Sequence, residues 1–431
     1  MSETYIANGA MTSDPRLLKL KDYLVNSVAP EMQNQSALKL ADRASIRNLV
    51  SDGYARIKPG LNPEIREQIL DAALAELVGY GPLELLLSDT EISEIMVNGP
   101  KHVFVERNGE VLETDVQFDD DNHLLRIIDR IVSPLGRRVD SDNPTADARL
   151  PDGSRVNVVI PPVAVDGPHV TIRKFLQTKM TMDDLVAMDA LTAYMAKFLE
   201  ACVVTRLNIL VTGNTSSGKT TVLNALSGFI PERERIVTIE DAVELKLKQR
   251  HVVRLETKLA NVDGSGAVGV RELVRNALRM RPDRIVVGEV RGGEAMDMLQ
   301  AMNTGHTGSL TTLHANSPRD GTSRLETMSM MAGLDMPLQA IRKQIAAAIN
   351  LIVHLARLPD GSRKMTHITE LSGMEGEVIT LTDIFKFEQT GVTSQGKIIG
   401  QLRPTNMRPL FTPRLEAAGF KLGGEIFGAG L

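Results

Sequence analysis

The apolar positions along the chain change their period twice, and each change marks a new kind of structure. Over residues 1–78 the spacing is helical. Asp14-Pro15 reads as an N-cap and first helical residue, with Leu17, Leu18, Leu20, Leu24 and Val28 on one face. Pro30 is expected to end that helix. A second helix is expected over Ser36–Leu49. Asn62-Pro63 opens a third, with Ile65, Ile69, Ala72, Ala73 and Leu77 inward and Gly79 as C-cap. From residue 79 to about 176 the period shortens to that of strands. Val103–Glu106 and Val111–Thr114 flank Arg107-Asn108-Gly109-Glu110, a hairpin signal. A helix follows over Asn122–Val132. A turn and strand follow over Leu150–Ile160, and another strand over His169–Phe175. From Thr181 onward, helices and apolar strands alternate. Thr181 caps a helix whose inward face is Leu185, Met188, Leu191, Met195, Phe198, Leu199 and Cys202. Strands are expected at Arg235–Ile239, Val252–Leu255, Arg284–Val287 and Gly308–Thr312, with further strands near Glu377–Phe385. Such alternation predicts a mostly parallel α/β sheet covered on both faces. No internal repeat and no long low-complexity tract is read along the chain.

One segment of that alternation carries chemistry by itself. Gly213-Asn214-Thr215-Ser216-Ser217-Gly218-Lys219-Thr220 fits G-x-x-x-x-G-K-[ST] at every fixed position. It follows the apolar run Leu207–Thr212 and precedes the helical Thr221–Leu226. Strand, glycine turn and helix start together predict a phosphate-binding loop. Backbone N–H groups from Thr215 to Thr220 would cradle the β- and γ-phosphates. Lys219 would bridge those phosphates, and the Thr220 hydroxyl would hold Mg²⁺.

Carboxylates stand at two strand ends. Glu240-Asp241 follows Ile236–Ile239, and Glu289 follows Ile285–Gly288. Ligands in open α/β sheets lie beyond the carboxyl ends of the strands, so both acidic sites are expected near the nucleotide. Glu289 is the preferred water-activating residue, and Glu240 a second candidate. His306 and His314 straddle the possible strand Gly308–Thr312 and are candidates for sensing a γ-phosphate. Arg155 and Arg173, each on or beside a strand of the smaller domain, are candidates for neutralising phosphate charge from outside the loop. Arg275, Arg279, Arg281 and Arg284 read as salt-bridging and phosphate-proximal. Met328, Met330, Met331 and Met336 read as a helix core.

Composition narrows the class. At 431 residues the chain has room for two or three domains, and 42% hydrophobic with 24% charged residues is a globular balance. A net charge of −5 provides no electrostatic footprint for nucleic acid, so no nucleic-acid partner is expected. One cysteine, Cys202, excludes an intrachain disulfide or a four-cysteine zinc site and reads as a core thiol. No apolar run approaches the ~18 residues of a membrane span, and Met1–Ala10 lacks the features of a signal peptide. A cytoplasmic protein is expected. A nucleic-acid translocase or helicase with a RecA-like core is the alternative, discriminated by stimulation of turnover by DNA or RNA.

The ordered motifs resemble one family. Gly-Asn-Thr-Ser-Ser-Gly-Lys-Thr-Thr at 213–221, Thr-Ile-Glu-Asp at 238–241, Arg-Pro-Asp-Arg-Ile-Val-Val-Gly-Glu-Val-Arg at 281–291 and Thr-Gly-His-Thr-Gly-Ser-Leu-Thr-Thr-Leu-His at 304–314 are similar to the type II/IV secretion ATPases. Gly79–Glu84, Ala148–Asn157 and Thr171–Phe175 point to the CpaF-type motors of Tad (Flp) pilus assembly. The resemblance covers roughly residues 80–370 and implies several things. Residues 213–221, including Thr221, would form the Walker A motif. Glu240 and Asp241 would form an acidic box contributing to the metal site with Thr220 and Glu289. Gly288-Glu289 would be an atypical Walker B motif, and His306 and His314 a histidine box. Arg155 and Arg173 would reach the phosphates from the smaller domain. It further implies a homo-hexameric ATPase ring, peripheral at the inner membrane, that passes domain motions to an inner-membrane platform protein. The implied layout is a helical module (1–78), a PAS-like α+β domain (79–176), a hinge (177–182) and a RecA-like P-loop domain (183–431). With a single cysteine the chain lacks the four-cysteine zinc module of type II secretion and type IVa pilus relatives, which favours the CpaF-like or VirB11-like branches.

Overall fold

The chain was analysed as a computed structural model, which describes residues 4–5, 14–34, 43–57, 60–107, 109–175, 180–258, 260 and 265–428. It divides into two compact units, Met1–Gln177 and Thr178–Leu431. The hinge expected over 177–182 begins outside the described residues, as does the start of the helix expected at Ser36.

The first unit starts with a short strand, β1 (Thr4–Tyr5), and three helices: α1 (Pro15–Asn34), α2 (Arg43–Ile57) and α3 (Pro63–Val78). Leu17, Leu24, Val28, Ile46, Val50, Ile69, Ala73 and Leu74 form their shared core. Pro30 does not end α1, which continues to Asn34. A proline removes one N–H···O bond, and here the loss falls in the last turn of a helix already anchored by Leu24 and Val28. The second helix runs to Ile57, eight residues beyond the expected Leu49, and buries Val50 and Tyr54. Asn62 caps α3 by accepting from the Ile65 N–H at 2.8 Å. Gly79 ends it in extended rather than left-handed backbone (φ −103°).

Beyond α4 (Leu83–Ser88) the unit becomes a sheet. Its strands are β2 (Ile92–Asn98), β3 (His102–Arg107), β4 (Glu110–Thr114), β5 (Thr145–Arg149), β6 (Arg155–Val159) and β7 (His169–Arg173), with α5 (Asp121–Val132) between β4 and β5. The strand order is β1-β4-β3-β2-β7-β6-β5. The hairpin expected around Asn108-Gly109 joins β3 to β4, although Asn108 itself lies outside the described residues. Leu124, Ile127, Ile128 and Ile131 of α5 cover the sheet.

The second unit opens with two helices where one was expected: α6 (Met182–Ala187) and α7 (Ala193–Val204). Asp189 takes a left-handed conformation (φ 58°) and breaks the run, leaving Met188 59% exposed instead of inward. Cys202 is fully buried in α7, and burial pushes its thiol well above the usual range. There follow β8 (Ile209–Gly213), α8 (Lys219–Ser227), β9 (Ile236–Glu240), β10 (Val252–Glu256), α9 (Val270–Ala277), β11 (Arg284–Val287), α10 (Glu294–Asn303), β12 (Leu310–His314), α11 (Pro318–Met330), α12 (Leu338–Ala348) and β13 (Leu351–Arg357). The chain closes with β14 (Arg363–Glu375), β15 (Val378–Val392), β16 (Ile398–Pro404), α13 (Thr412–Ala417) and α14 (Gly424–Phe427).

The nine strands lie in the order β10-β9-β11-β12-β8-β13-β14-β15-β16. The six from β10 to β13 are mutually parallel, and the last three are antiparallel additions. Both faces are covered. Ile209 and Val211 of β8 point into one core with α7 and α8, while Leu210 points into the other with α9, α10 and α12. That is why β8 reads as a continuous apolar run. Only Met328 of the four clustered methionines is fully buried. Met330 and Met331 are 50% and 62% exposed.

Candidate nucleotide-binding site

The parallel strands present their carboxyl ends side by side, and the strand order decides what meets there. From β9 through β11 and β12 to β8, successive ends carry Glu240, Gly288-Glu289, His314 and Gly213. His314 stands in register with Gly213.

Past Gly213 the chain makes a tight loop. Ser216 (φ 58°) and Gly218 (φ 95°) are left-handed. A side chain at Gly213 would place its Cβ 2.5 Å from the Leu355 carbonyl oxygen, so glycine is needed for close approach of β13. Gly218 leads into α8, which has no side-chain cap. The first-turn N–H groups that every helix leaves unsatisfied therefore face the loop. This uncapped helix start behind a glycine loop fits a phosphate group. Lys219 is only 8% exposed, and its ammonium donates to the Asn214 carbonyl at 3.0 Å, inside the loop's own curve.

The same ammonium lies 3.3 Å from His314 Nδ1. Because an ammonium can only donate, Nδ1 is the acceptor, and the ring proton sits on Nε2. Nε2 lies 2.8 Å from Glu289 Oε1, a close contact without hydrogen-bond alignment, since that buried oxygen accepts no hydrogen bond. Burial, together with the positive charges of Lys219 and Arg291, lowers the His314 pKa, which agrees with a neutral ring. The other Glu289 oxygen accepts from Arg291 Nε at 2.9 Å and Nη2 at 2.5 Å, and Arg291 Nη1 lies 3.4 Å from Asp241 Oδ2. Lys219, His314, Glu289, Arg291 and Asp241 are therefore one connected chain of polar groups. Arg291 escaped the sequence reading. Its position two residues beyond a strand-end carboxylate was the available signal.

Glu240 is built in differently. Its Oε2 accepts the backbone N–H groups of Glu244 and Leu245 at 2.8 and 3.0 Å, so the residue is pinned at the strand end. Its side chain runs across Gly288, whose hypothetical Cβ would sit 2.9 Å from Glu240 Cγ. Two acidic strand ends can lie this close because the position between them has no side chain.

His306 is not brought to this cluster. It precedes β12, whereas His314 ends it, so the two histidines sit at opposite ends of a parallel strand that is itself roughly 13 Å long. The turn after His306 is tied to the amino edge of the sheet, where Asn208 Oδ1 accepts from the Gly308 and Ser309 N–H groups at 2.7 and 3.1 Å. Arg284 starts β11 at that same edge. It is fully buried against Glu234 rather than phosphate-proximal. Arg275 pairs with Asp297. In the first unit, Arg155 and Arg173 are direct cross-strand partners of β6 and β7.

No group of three His, Cys, Asp or Glu side chains among the described residues is arranged to hold a metal ion. Mg²⁺ would then depend on Thr220, strand-end carboxylates, water and the phosphates themselves, which is how this cation is commonly held in phosphoryl-transfer sites. Among the described residues no helix is long and apolar enough to cross a membrane.

The sequence profile described as "Type II/IV secretion system protein" matches residues 76–395. The chain belongs to that family. It is 40% identical over 313 residues to a Mycobacterium tuberculosis protein named for conjugal transfer, covering 71% of this chain and 88% of that one. It is 32% identical over 352 residues to the type IV secretion system protein VirB11 of Bartonella quintana, covering 72% and 96% respectively. Among solved structures it is similar to the VirB11 ATPase of Brucella suis, at 30% identity and a TM-score of 0.38, over 67% of this chain and 95% of that one. The family expected from the motifs is thus recovered, at the level of a VirB11-like type II/IV secretion system protein.

Proposed function

We propose that this protein is an Mg²⁺-dependent ATPase motor of pilus assembly or secretion, of the CpaF (Tad pilus) type. The observation that supports it best is the connected chain from Lys219 of the phosphate loop through His314 to Glu289. It couples the group that would feel a γ-phosphate to the group that would activate water.

In this reading the loop amides, Lys219 and Thr220 bind the β- and γ-phosphates of ATP. Mg²⁺ supplies charge neutralisation on the phosphates when bound. A γ-phosphate competes with Asn214 and His314 for the Lys219 ammonium, and the loosened His314 and Arg291 release Glu289 to orient water. Water attacks the γ-phosphorus, the bond to the β–γ bridging oxygen breaks, ADP departs, and Glu289 takes the proton. Arg155 and Arg173, cross-strand partners on their own sheet, are assigned to neutralising phosphate charge. Six such protomers form the ring. Their closure is passed to a platform protein at the inner membrane.

Phosphate release by the purified ring tests the reading. Lys219→Ala is expected to abolish turnover, and Glu289→Gln to lower it by at least ~100-fold while ATP binding persists. Full turnover by Glu289→Gln would remove its assigned role.

A further inference from the structure

Another histidine, outside the motifs of His306 and His314, lies beneath the phosphate loop. His354 belongs to β13, which runs parallel to β8 with His354 in register with Thr212. Thr212 is the residue before Gly213, where the phosphate loop begins. His354 Nδ1 and the Thr212 hydroxyl are hydrogen-bonded at 2.8 Å. The histidine is only 4% exposed, and it also hydrogen-bonds the backbone of Asn316. The Asn316 N–H is already donated to Asp320 Oδ2 at 2.8 Å, so the Asn316 carbonyl is the group that accepts from the ring.

These partners belong to three neighbouring strands. β12, β8 and β13 are adjacent in that order, and Leu313 of β12 is also in register with Thr212. Asn316 lies in the turn between β12 and α11, two residues after His314. The imidazole from β13 therefore passes over Thr212 of β8 to reach the turn beyond β12. The ladder holds that turn weakly, since the bond from the Ala315 N–H to the Gly213 carbonyl is 3.3 Å long. α11 closes over the same place. A Cβ on Gly321 would meet Thr212 Cγ2 at 3.1 Å, and the Asp320 N–H donates to Ser317 Oγ at 3.0 Å.

The surroundings of the ring argue against a packing role alone. Leu210, Leu313 and Ile352, on the same sheet face, are buried and apolar. Burial and the cross-strand His367, whose ring centroid is 5.9 Å away, hold the His354 pKa down to about 4, so the ring is neutral near pH 7. A neutral imidazole has one donor and one acceptor, and here both are used. An apolar side chain would fill the place without burying a polar ring, but it could not join Thr212 to Asn316.

We propose that His354 is a positioning residue for ATP hydrolysis: by tying the strand that enters the phosphate loop to the turn that follows His314, it sets Lys219 and His314 at their 3.3 Å separation. The inference rests on the ATPase reading above and adds to it a residue that acts only through others.

Steady-state phosphate release and equilibrium binding of a fluorescent, non-hydrolysable ATP analogue test it. Both use the full-length protein with Mg²⁺, and thermal unfolding checks the fold. His354→Leu keeps the bulk and removes both bonds. It is expected to lower kcat about tenfold while nucleotide affinity stays within about twofold of wild type. His354→Gln again offers a donor and an acceptor and should restore kcat to within about threefold of wild type. Thr212→Val breaks the link from the other side, keeps the methyl that packs on α11, and serves if the leucine variant is destabilised. Combined, the leucine and valine substitutions should lower kcat no further than the worse of them alone, since both break one link. Lys219→Ala is the control. If it turns over ATP as well as the wild type does, the site reading itself fails. If it is inactive while His354→Leu and Thr212→Val keep kcat within about twofold of wild type, the site stands and this inference is overturned. A glutamine variant as slow as the leucine one, additive losses in the double variant, or weakened binding at unchanged kcat would each overturn it as well.

Discussion

Gly288→Ala is the substitution that most directly tests how the two acidic strand ends fit together. The added methyl would sit 2.9 Å from Glu240 Cγ and 3.5 Å from its Cβ. Glu240 cannot turn aside cheaply, because its carboxylate holds the backbone N–H groups of Glu244 and Leu245. Either the strand ends separate or those bonds weaken. Overpacking of this kind costs about 1–3 kcal/mol. For a unit of some 250 residues that lowers the unfolding transition by roughly 3–10 °C. Turnover should fall too, since Glu289 is the next residue. The double variant Glu240→Ala, Gly288→Ala removes the colliding atoms. Glu240→Ala alone loses the two backbone bonds, but adding Gly288→Ala to it should cost little further thermal stability, and turnover should not recover. Calorimetry of the four proteins in the cycle, with phosphate release in parallel, reads both effects. If Gly288→Ala unfolds within about 1 °C of wild type and keeps its turnover, the close packing of Glu240 on Gly288 is not what this position requires.

Two further outcomes follow from buried polar groups outside the loop itself. Arg284 has no solvent exposure and donates to Glu234 at 2.5 and 3.3 Å and to the Val203 and Gly308 carbonyls. Glu234→Ala strands that charge and should cost about 3–5 kcal/mol in urea unfolding, whereas a loss under about 1 kcal/mol would refute the pairing. His354 donates or accepts with Thr212 directly beneath the phosphate loop, and burial, with the nearby His367, holds its pKa down to about 4. The unfolded imidazole titrates near 6.5, so below that pH the unfolded chain binds the extra proton. Stability from His354 is complete above about pH 6.5 and declines toward pH 4, by up to about 1.4 kcal/mol per pH unit. His314 and His367 are shifted in the same direction and add to the slope. Unfolding midpoints measured from pH 7.5 to 5 should show a shallower decline for His354→Gln, and an unchanged slope would contradict the assignment.

Local chemistry was legible in the residues because its requirements are local. A glycine turn between a strand and a helix start needs only consecutive residues, so the loop at Gly213–Thr220 and the strand-end positions of Glu240 and Glu289 were readable. Helix ends were less so. Pro30 broke nothing because it fell in a terminal turn, and Asp189 split a helix whose apolar spacing continued across it. The histidines show the limit most clearly. Both flank β12, and a strand separates what its two ends carry. Only His314 joins Lys219 and Glu289.

From local pattern alone came the type II/IV secretion family, the alternating α/β architecture and the strand, glycine turn and helix start at Gly213–Thr220. The tertiary structure decided which of the other polar residues share that loop's neighbourhood. Strand order, which no local pattern encodes, set His314 between Glu289 and Gly213 and left His306 and Arg284 at the opposite edge. Hydrogen-bonded pairing between strands distant in sequence makes those neighbours, so they emerge only when the sheet is assembled.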